Sequence, residues 1–285
     1  MHDMTNRGPS AHEAARSTYA GGLMRPAGLL FRTPPRPALA ALLAFAAWFL
    51  LGQEAMGQTR ELRMFVPDTD WPPYLINTPG HPGGVFVEVL REAVGSLGYT
   101  VVPVRLPNKR GWSMLDNGEV DVHIKAKDWV EDPDRYEWSI PFMKNENVLV
   151  YAADSDLKYD SPKSMLGKSI GTIKGFIYPA LEPYFKDGRI RRVDCASPYT
   201  MLELVALHRI DAAVVNRIET LYLFRTEPNL HPERYRLDDT PCGVAWYRYL
   251  FPKGRGWNPL IGKLNKGLKA MMRDGRLDAI LARYR

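Results

Sequence analysis

Residues 120–142, "VDVHIKAKDWVEDPDRYEWSIPF", begin as one kind of structure and end as another. Val120, Val122 and Ile124 alternate with Asp121, His123 and Lys125, the period of a half-buried β-strand. The alternation stops at Lys125, Lys127 and Trp129, and a segment dense in acids with Pro133 and Arg135 follows. In open α/β sheets ligands bind beyond the carboxyl ends of strands. A strand that runs out into cations and a ring is therefore placed to hold something.

The neighbouring segments give this strand its context. "LRMFVP" (62–67) reads as a strand, and the Pro- and Gly-rich 69–84 as a loop. Val87, Leu90, Val94 and Leu97 then recur at helical spacing. "TVVPVRL" is a second strand, and "GWSMLDNGEV" a short helix stopped at Gly118. With 120–126 as the third strand, the order is β-α-β-α-β, which implies a parallel sheet with helices on its faces.

The pattern then recurs. "GKSIGTI" (167–173), "RIRRVDC" and "IDAAVVN" (210–216) read as strands. Between them lie "YPALEPYFKDG", a helix-like piece interrupted by Pro183, and "SPYTMLELVALHR", a helix opened by Ser197 with Pro198 in its first turn. "NVLVYAADSD" (147–156) and "CGVAWYRYLFPKG" (242–254) flank this second unit as strands. The chain ends in an amphipathic helix marked by Leu260, Leu264, Leu268 and Met271, broken at Gly275 before a last short helix. Two α/β units, two crossings and a returning C-terminus describe a hinged clamshell, with lobe 1 over 58–149 plus 248–285 and lobe 2 over 150–247. Both lobes would present strand ends to one cleft.

The 285 residues allow one large or two modest domains. The net charge of +6 is spread without a basic run, so no nucleic-acid footprint is evident. Residues 38–51, "ALAALLAFAAWFLL", form an apolar run preceded by Arg25, Arg32 and Arg36 and followed by Ala55 and Gly57. The run is short for a membrane span and suits a secretory signal cleaved before Gln58, with an uncleaved anchor as the alternative. Met24 offers an alternative start. Residues 1–57 are thus expected to be removed on export to the periplasm.

Together these features resemble the family 3 periplasmic solute-binding proteins, which feed polar amino acids and similar solutes to ABC transporters. The marks are "WPPY", "GGVFVEVLREAVGSLGY", "LDNGEVDV", "YEWSIPF", "LHRIDAAVVN" and the terminal "LNKGLKAMMRDGRLDAILARY", in family order over residues 60–285. The resemblance implies a type II two-lobed α/β clamshell with two hinge crossings. It implies a monomer that closes on a small solute and is read by an inner-membrane permease, with no cofactor. In the sheet order usual for such a lobe, strands separate Cys195 from Cys242 beyond the roughly 7 Å bridging limit, so two free thiols are expected.

The sequence departs from the family's pattern at three places. The arginine that usually holds the solute carboxylate belongs near Asp132 or Pro133, and Arg135 lies two or three positions late. It either serves as a ligand or pairs with Glu131 or Asp134. Asn216 stands where an acid commonly receives an ammonium group, and its amide donates and accepts but supplies no charge. "KGFIYP" offers Lys174, Phe176 and Tyr178 where small hydroxyls are usual. The candidate ligand set is therefore Trp71, Tyr74, Lys125, Lys127, Trp129, Arg135, Lys174, Phe176, Tyr178 and Asn216. A site with cations and no matched acid implies a carboxylate or other anionic solute over a zwitterion. His123 reads as a satisfied strand residue, and Asp121 and Asp211 as braces of turns.

Two other function classes share this fold. A cyclohexadienyl-dehydratase-like enzyme would need a cleft acid, for which Glu219 or Glu182 would have to serve. The sequence has no His-Glu-x-x-His, nucleophile elbow or Cys-x-x-Cys. A sensory or accessory domain would differ only in its partner.

Overall fold

The computed structural model describes residues 59–78 and 81–284; the expected signal over 1–57 lies outside them. The first lobe opens with β1 (Arg60–Pro67), followed by β2 (Ile76–Thr78) and β3 (His81–Gly83), an antiparallel hairpin. This hairpin, with a bridge between Trp71 and Leu75, corrects the reading of 69–84 as plain loop. Then come α1 (Val85–Gly95), β4 (Tyr99–Leu106), α2 (Asn108–Asn117), β5 (His123–Ala126) and β6 (Tyr136–Trp138). Gly118 ends α2 in the left-handed conformation at φ 74°, as the sequence implies.

A long strand, β7 (Met143–Ala152), leads into the second lobe. That lobe runs β8 (Ser169–Ile173), α3 (Glu182–Lys186), β9 (Arg191–Cys195), α4 (Pro198–Ala206), β10 (Ala212–Asn216) and α5 (Arg217–Thr226). Ser197 caps α4, its hydroxyl accepting from the Thr200 N–H at 3.2 Å. The chain returns along β11 (Tyr235–Pro252) and finishes with α6 (Asn258–Asp274) and α7 (Arg276–Ala282).

The two crossing strands form one antiparallel ribbon, from Tyr235 opposite Ala152 to Tyr247 opposite Met143. At one end β11 pairs with β5 and β6; at the other β7 pairs with β10, followed by β8 and β9. The strand order is β5-β11-β7-β10-β8-β9. β1 and β4 pair in parallel and join this layer through the Met64–Val122 bridge.

Each lobe ties its third strand to its first with an aspartate. Asp121 accepts from the Arg63 N–H at 2.8 Å and from its guanidinium at 2.9 and 3.0 Å. Asp211 accepts from the Ser169 N–H at 2.7 Å. Both therefore brace, as read from the sequence. The half-buried alternation of 120–126 needs correction, because Asp121 and His123 are buried along with Val120, Val122 and Ile124. The second face is covered too: the His123 ring stacks on Phe65 at 4.3 Å, and its Nδ1 lies 2.9 Å from the Phe65 carbonyl. Burial there holds its pKa at about 3, so it is neutral and satisfied.

The apolar interior follows the lobes. Leu260, Leu264, Leu268 and Met271 of α6 bury against Val87, Leu90 and Val94 of α1 in the first lobe. Each such side chain contributes roughly 1.5 to 3 kcal/mol. Strands of the second lobe are packed on both faces, with Cys195 on one and Cys242 on the other. Both cysteines are free, and β8, β10 and β7 separate their strands, as expected.

Candidate functional site

Where the lobes meet, an aromatic cluster surrounds the end of the hairpin loop. Trp71 lies 4.8 Å from Tyr74, 5.9 Å from Tyr247 and 6.1 Å from Phe86, ring centre to ring centre. Trp129 meets the Tyr247 ring edge-on at 5.7 Å and is itself 43% exposed. The loop is held in place by Gly84. Its φ of 95° and its closeness to the Tyr74 carbonyl, where a Cβ would stand at 2.6 Å, admit no other residue without a shift.

From the second lobe, β10 delivers Asn216 to the same place. Its Oδ1 accepts from the Tyr74 hydroxyl at 2.7 Å and from the Glu219 N–H at 2.9 Å, and its Nδ2 donates to Asn145 of the ribbon. Asn216 is thus the N-cap of α5 and a link between the lobes at once. Further along α5, Ile218 is buried in the first-lobe core, and Arg225 donates to the Arg283 carbonyl at 2.8 Å. The lobes are in contact along this helix.

Two polar groups here are unspent among the described residues. The Tyr247 hydroxyl is buried without a hydrogen-bond partner. The Glu219 side chain, half-buried in the first turn of α5, makes no described ion pair or side-chain hydrogen bond. Burial raises its pKa to about 7, and its charge in turn contributes to raising Tyr247, after burial and Tyr74.

Of the sequence candidates, Trp71, Tyr74, Trp129 and Asn216 therefore converge. Lys125 is half-buried, and its pKa is lowered by desolvation. It pairs across β5 and β11 with Arg248, whereas Tyr247 pairs with Ala126, so Lys125 occupies the opposite face of the sheet from Tyr247. Lys127 is exposed on the short turn Lys127–Trp129. Arg135 pairs with Asp116 at 3.1 Å, not with Glu131 or Asp134. Lys174 and Phe176 are exposed in the turn after β8, and no described contact joins them to the cluster. Tyr178 is buried in the second-lobe core, its hydroxyl accepting from the Ile173 N–H at 3.3 Å.

The sequence reading had no acid matched to the solute; the structure places Glu219 on the first turn of α5, its N–H bonded to the Asn216 side chain that Tyr74 also meets. The signal for it was Asn216-Arg-Ile-Glu219, an N-cap with a glutamate three residues on, directly after a strand. Tyr247 was legible only as one of alternating Ala245, Tyr247 and Tyr249, all buried. Among the described residues no group of His, Cys, Asp or Glu could hold a metal, and no helix is long and apolar enough to cross a membrane.

The family model for bacterial extracellular solute-binding proteins, family 3, matches residues 63–285. Among solved structures, substrate binding domain 2 of Lactococcus lactis GlnP in its open conformation is similar with a TM-score of 0.65 and 16% identity, covering 81% of this chain and 97% of that one. A histidine kinase sensor domain with similarity to periplasmic binding proteins gives 0.58 at 24% identity, over 80% and 96%. An ancestral arginine-binding protein bound to arginine gives 0.56 at 20%, over 80% and 99%. Curated proteins yield no match. The fold is the type II periplasmic-binding-protein α/β clamshell, and the chain belongs to the family 3 bacterial extracellular solute-binding proteins.

Proposed function

We propose that the chain is an exported, monomeric receptor that captures a small polar solute between its lobes and presents it to an ABC permease. The observation that carries this reading is the junction of Tyr74, Tyr247, Asn216 and Glu219, where polar groups from both lobes meet among rings at the strand ends. Among the described residues the lobes touch through a few side chains, the Tyr74–Asn216 hydrogen bond, Ile218, and Arg225 with Tyr222 of α5, a contact small enough to open. A solute that binds both lobes would shift the population toward the closed form by its differential affinity for it.

The test is a metabolite screen by thermal shift on the mature chain. A solute at a hundredfold excess over its Kd stabilises by about 2.7 kcal/mol. For a chain of this size that is a melting shift of roughly 5 to 10 °C. No shift across a broad screen, with unchanged small-angle scattering, contradicts the reading.

One observation favours a second reading. A half-buried carboxyl at the first turn of α5, where Asn216 meets Tyr74, with its pKa raised to about 7 by burial, is suited to general-acid work, as a dehydratase-like enzyme would need. Conversion of the screened solute, followed by mass spectrometry, separates catalysis from capture.

A further inference from the structure

We propose that the face of the β7–β11 ribbon turned away from Tyr247 docks an acidic segment of a partner protein, whose apolar side chain sits on Trp246 and Val244 between carboxylates held by Lys125, Lys144 and Arg248. The inference goes beyond solute capture and concerns a surface that the ring cluster does not use. The strand register builds it. Residues directly opposite on paired strands share a face, and so do alternate residues of one strand. Lys125 lies opposite Arg248, Lys144 opposite Trp246 and Glu146 opposite Val244. Val244, Trp246 and Arg248 of β11 therefore line one face together with Lys125 and Lys144. Trp246 is 41% and Val244 52% exposed, adjacent on that face rather than scattered. The Lys144 Nζ stands 5.4 Å from the centre of the Trp246 ring. Exposed apolar side chains rimmed by polar ones mark an interaction surface, and Trp and Arg are frequent anchors of such surfaces.

Charge decides the occupant. Among the described residues Lys125, Lys144 and Arg248 make no ion pair, and Arg248 donates only to the Ser139 carbonyl, at 3.2 Å. Lys125 is half-buried, and desolvation lowers its pKa with no acid beside it to offset the loss. The acid that shares this face, Glu146, is already paired with Arg217 at 3.3 Å. Carboxylates from a partner would compensate the three cations, and electrostatic fit of this kind sets which partner docks. An anionic membrane is drawn by clusters of roughly four to eight cations, more than this face offers. The chain also lacks the basic run of a nucleic-acid binder. A protein segment supplies carboxylates and an apolar side chain together.

The test is fluorescence anisotropy on the mature chain with three labelled peptides: glutamates flanking a central Leu-Phe pair, the same peptide with glutamines, and glutamates alone. The expected result is that the first binds at least about tenfold more tightly than either control and is released at about 1 M salt. Trp246→Ser and Lys144→Glu, both at exposed positions, should each weaken it about tenfold without moving the melting temperature or the solute-induced shift. Equal binding of the glutamate-only peptide reduces the surface to bulk charge and overturns the proposal. So does binding indifferent to both substitutions, no saturable binding of the first peptide, or tighter binding to vesicles of anionic lipid. A chain that dimerises in sedimentation runs and turns monomeric in Trp246→Ser overturns it as well, since a second copy would then cover this face.

Discussion

The Tyr74 hydroxyl donates to the Asn216 side-chain oxygen at 2.7 Å, and this bond joins the two lobes. Tyr74 sits on a loop fixed by Gly84, and Asn216 caps a helix whose Ile218 is buried in the opposite lobe. The lobes are thus joined at the ring cluster by this hydrogen bond and Ile218, and farther along α5 by Arg225, which donates to the Arg283 carbonyl, and by Tyr222, whose ring meets that of Tyr284. Tyr74→Phe is expected to cost about 0.5 to 1.5 kcal/mol and to favour the open form. Small-angle scattering of the solute-free protein checks it: the radius of gyration should exceed that of the wild type.

Gly84 is the second point of leverage. An alanine there would put its Cβ 2.6 Å from the Tyr74 carbonyl and hold a left-handed φ of 95°. The expected cost is about 1 to 3 kcal/mol, with Tyr74 displaced from Asn216. Denaturant melts and solute affinity should fall together in Gly84→Ala.

Half-buried Glu219 and buried His123 set opposite limbs of the pH dependence. The carboxyl of Glu219 binds its proton more tightly folded than unfolded, with a pKa of about 7, so its contribution grows as pH falls through 7 toward the ordinary value. His123 is held at about 3 against 6.5, so its contribution is present above pH 6.5 and lost as pH falls toward 3. Glu219→Gln should therefore stabilise the protein at pH 8 by on the order of 2 to 3 kcal/mol and change little at pH 4.5. By pH 5 His123 should remove about 2 kcal/mol from both proteins. Urea melts at these three pH values decide it; a Glu219→Gln effect independent of pH contradicts the assignment.

The thiols give a check on the sheet order. Burial raises Cys242 to about 12 and also raises Cys195, so both should react slowly in the native protein. Titration after denaturation without reductant should find two thiols per chain, and none would mean that β9 and β11 are neighbours.

These predictions draw unevenly on sequence and structure. The alternating strands, the α4 cap at Ser197 and the α6 stripe were legible because local periodicity and capping chemistry dictate them. The β2–β3 hairpin was not, since two strands of three residues among prolines carry no period. His123 and Asp121 looked half-exposed because alternation cannot reveal that Phe65 and Arg63 cover the second face. Trp71, Tyr74, Trp129 and Asn216 were singled out from their places after strand ends, and the structure brings them together around Tyr74 and Tyr247. Arg135 was drawn to Asp116, nineteen positions back, a pairing that local spacing does not reveal.

Native mass spectrometry of the protein purified from its own cells tests the central claim most directly. The account predicts a mature chain beginning at Gln58 and carrying one small solute that leaves on denaturation. A chain that is bare, and stays bare after incubation with the screened metabolites, would contradict it.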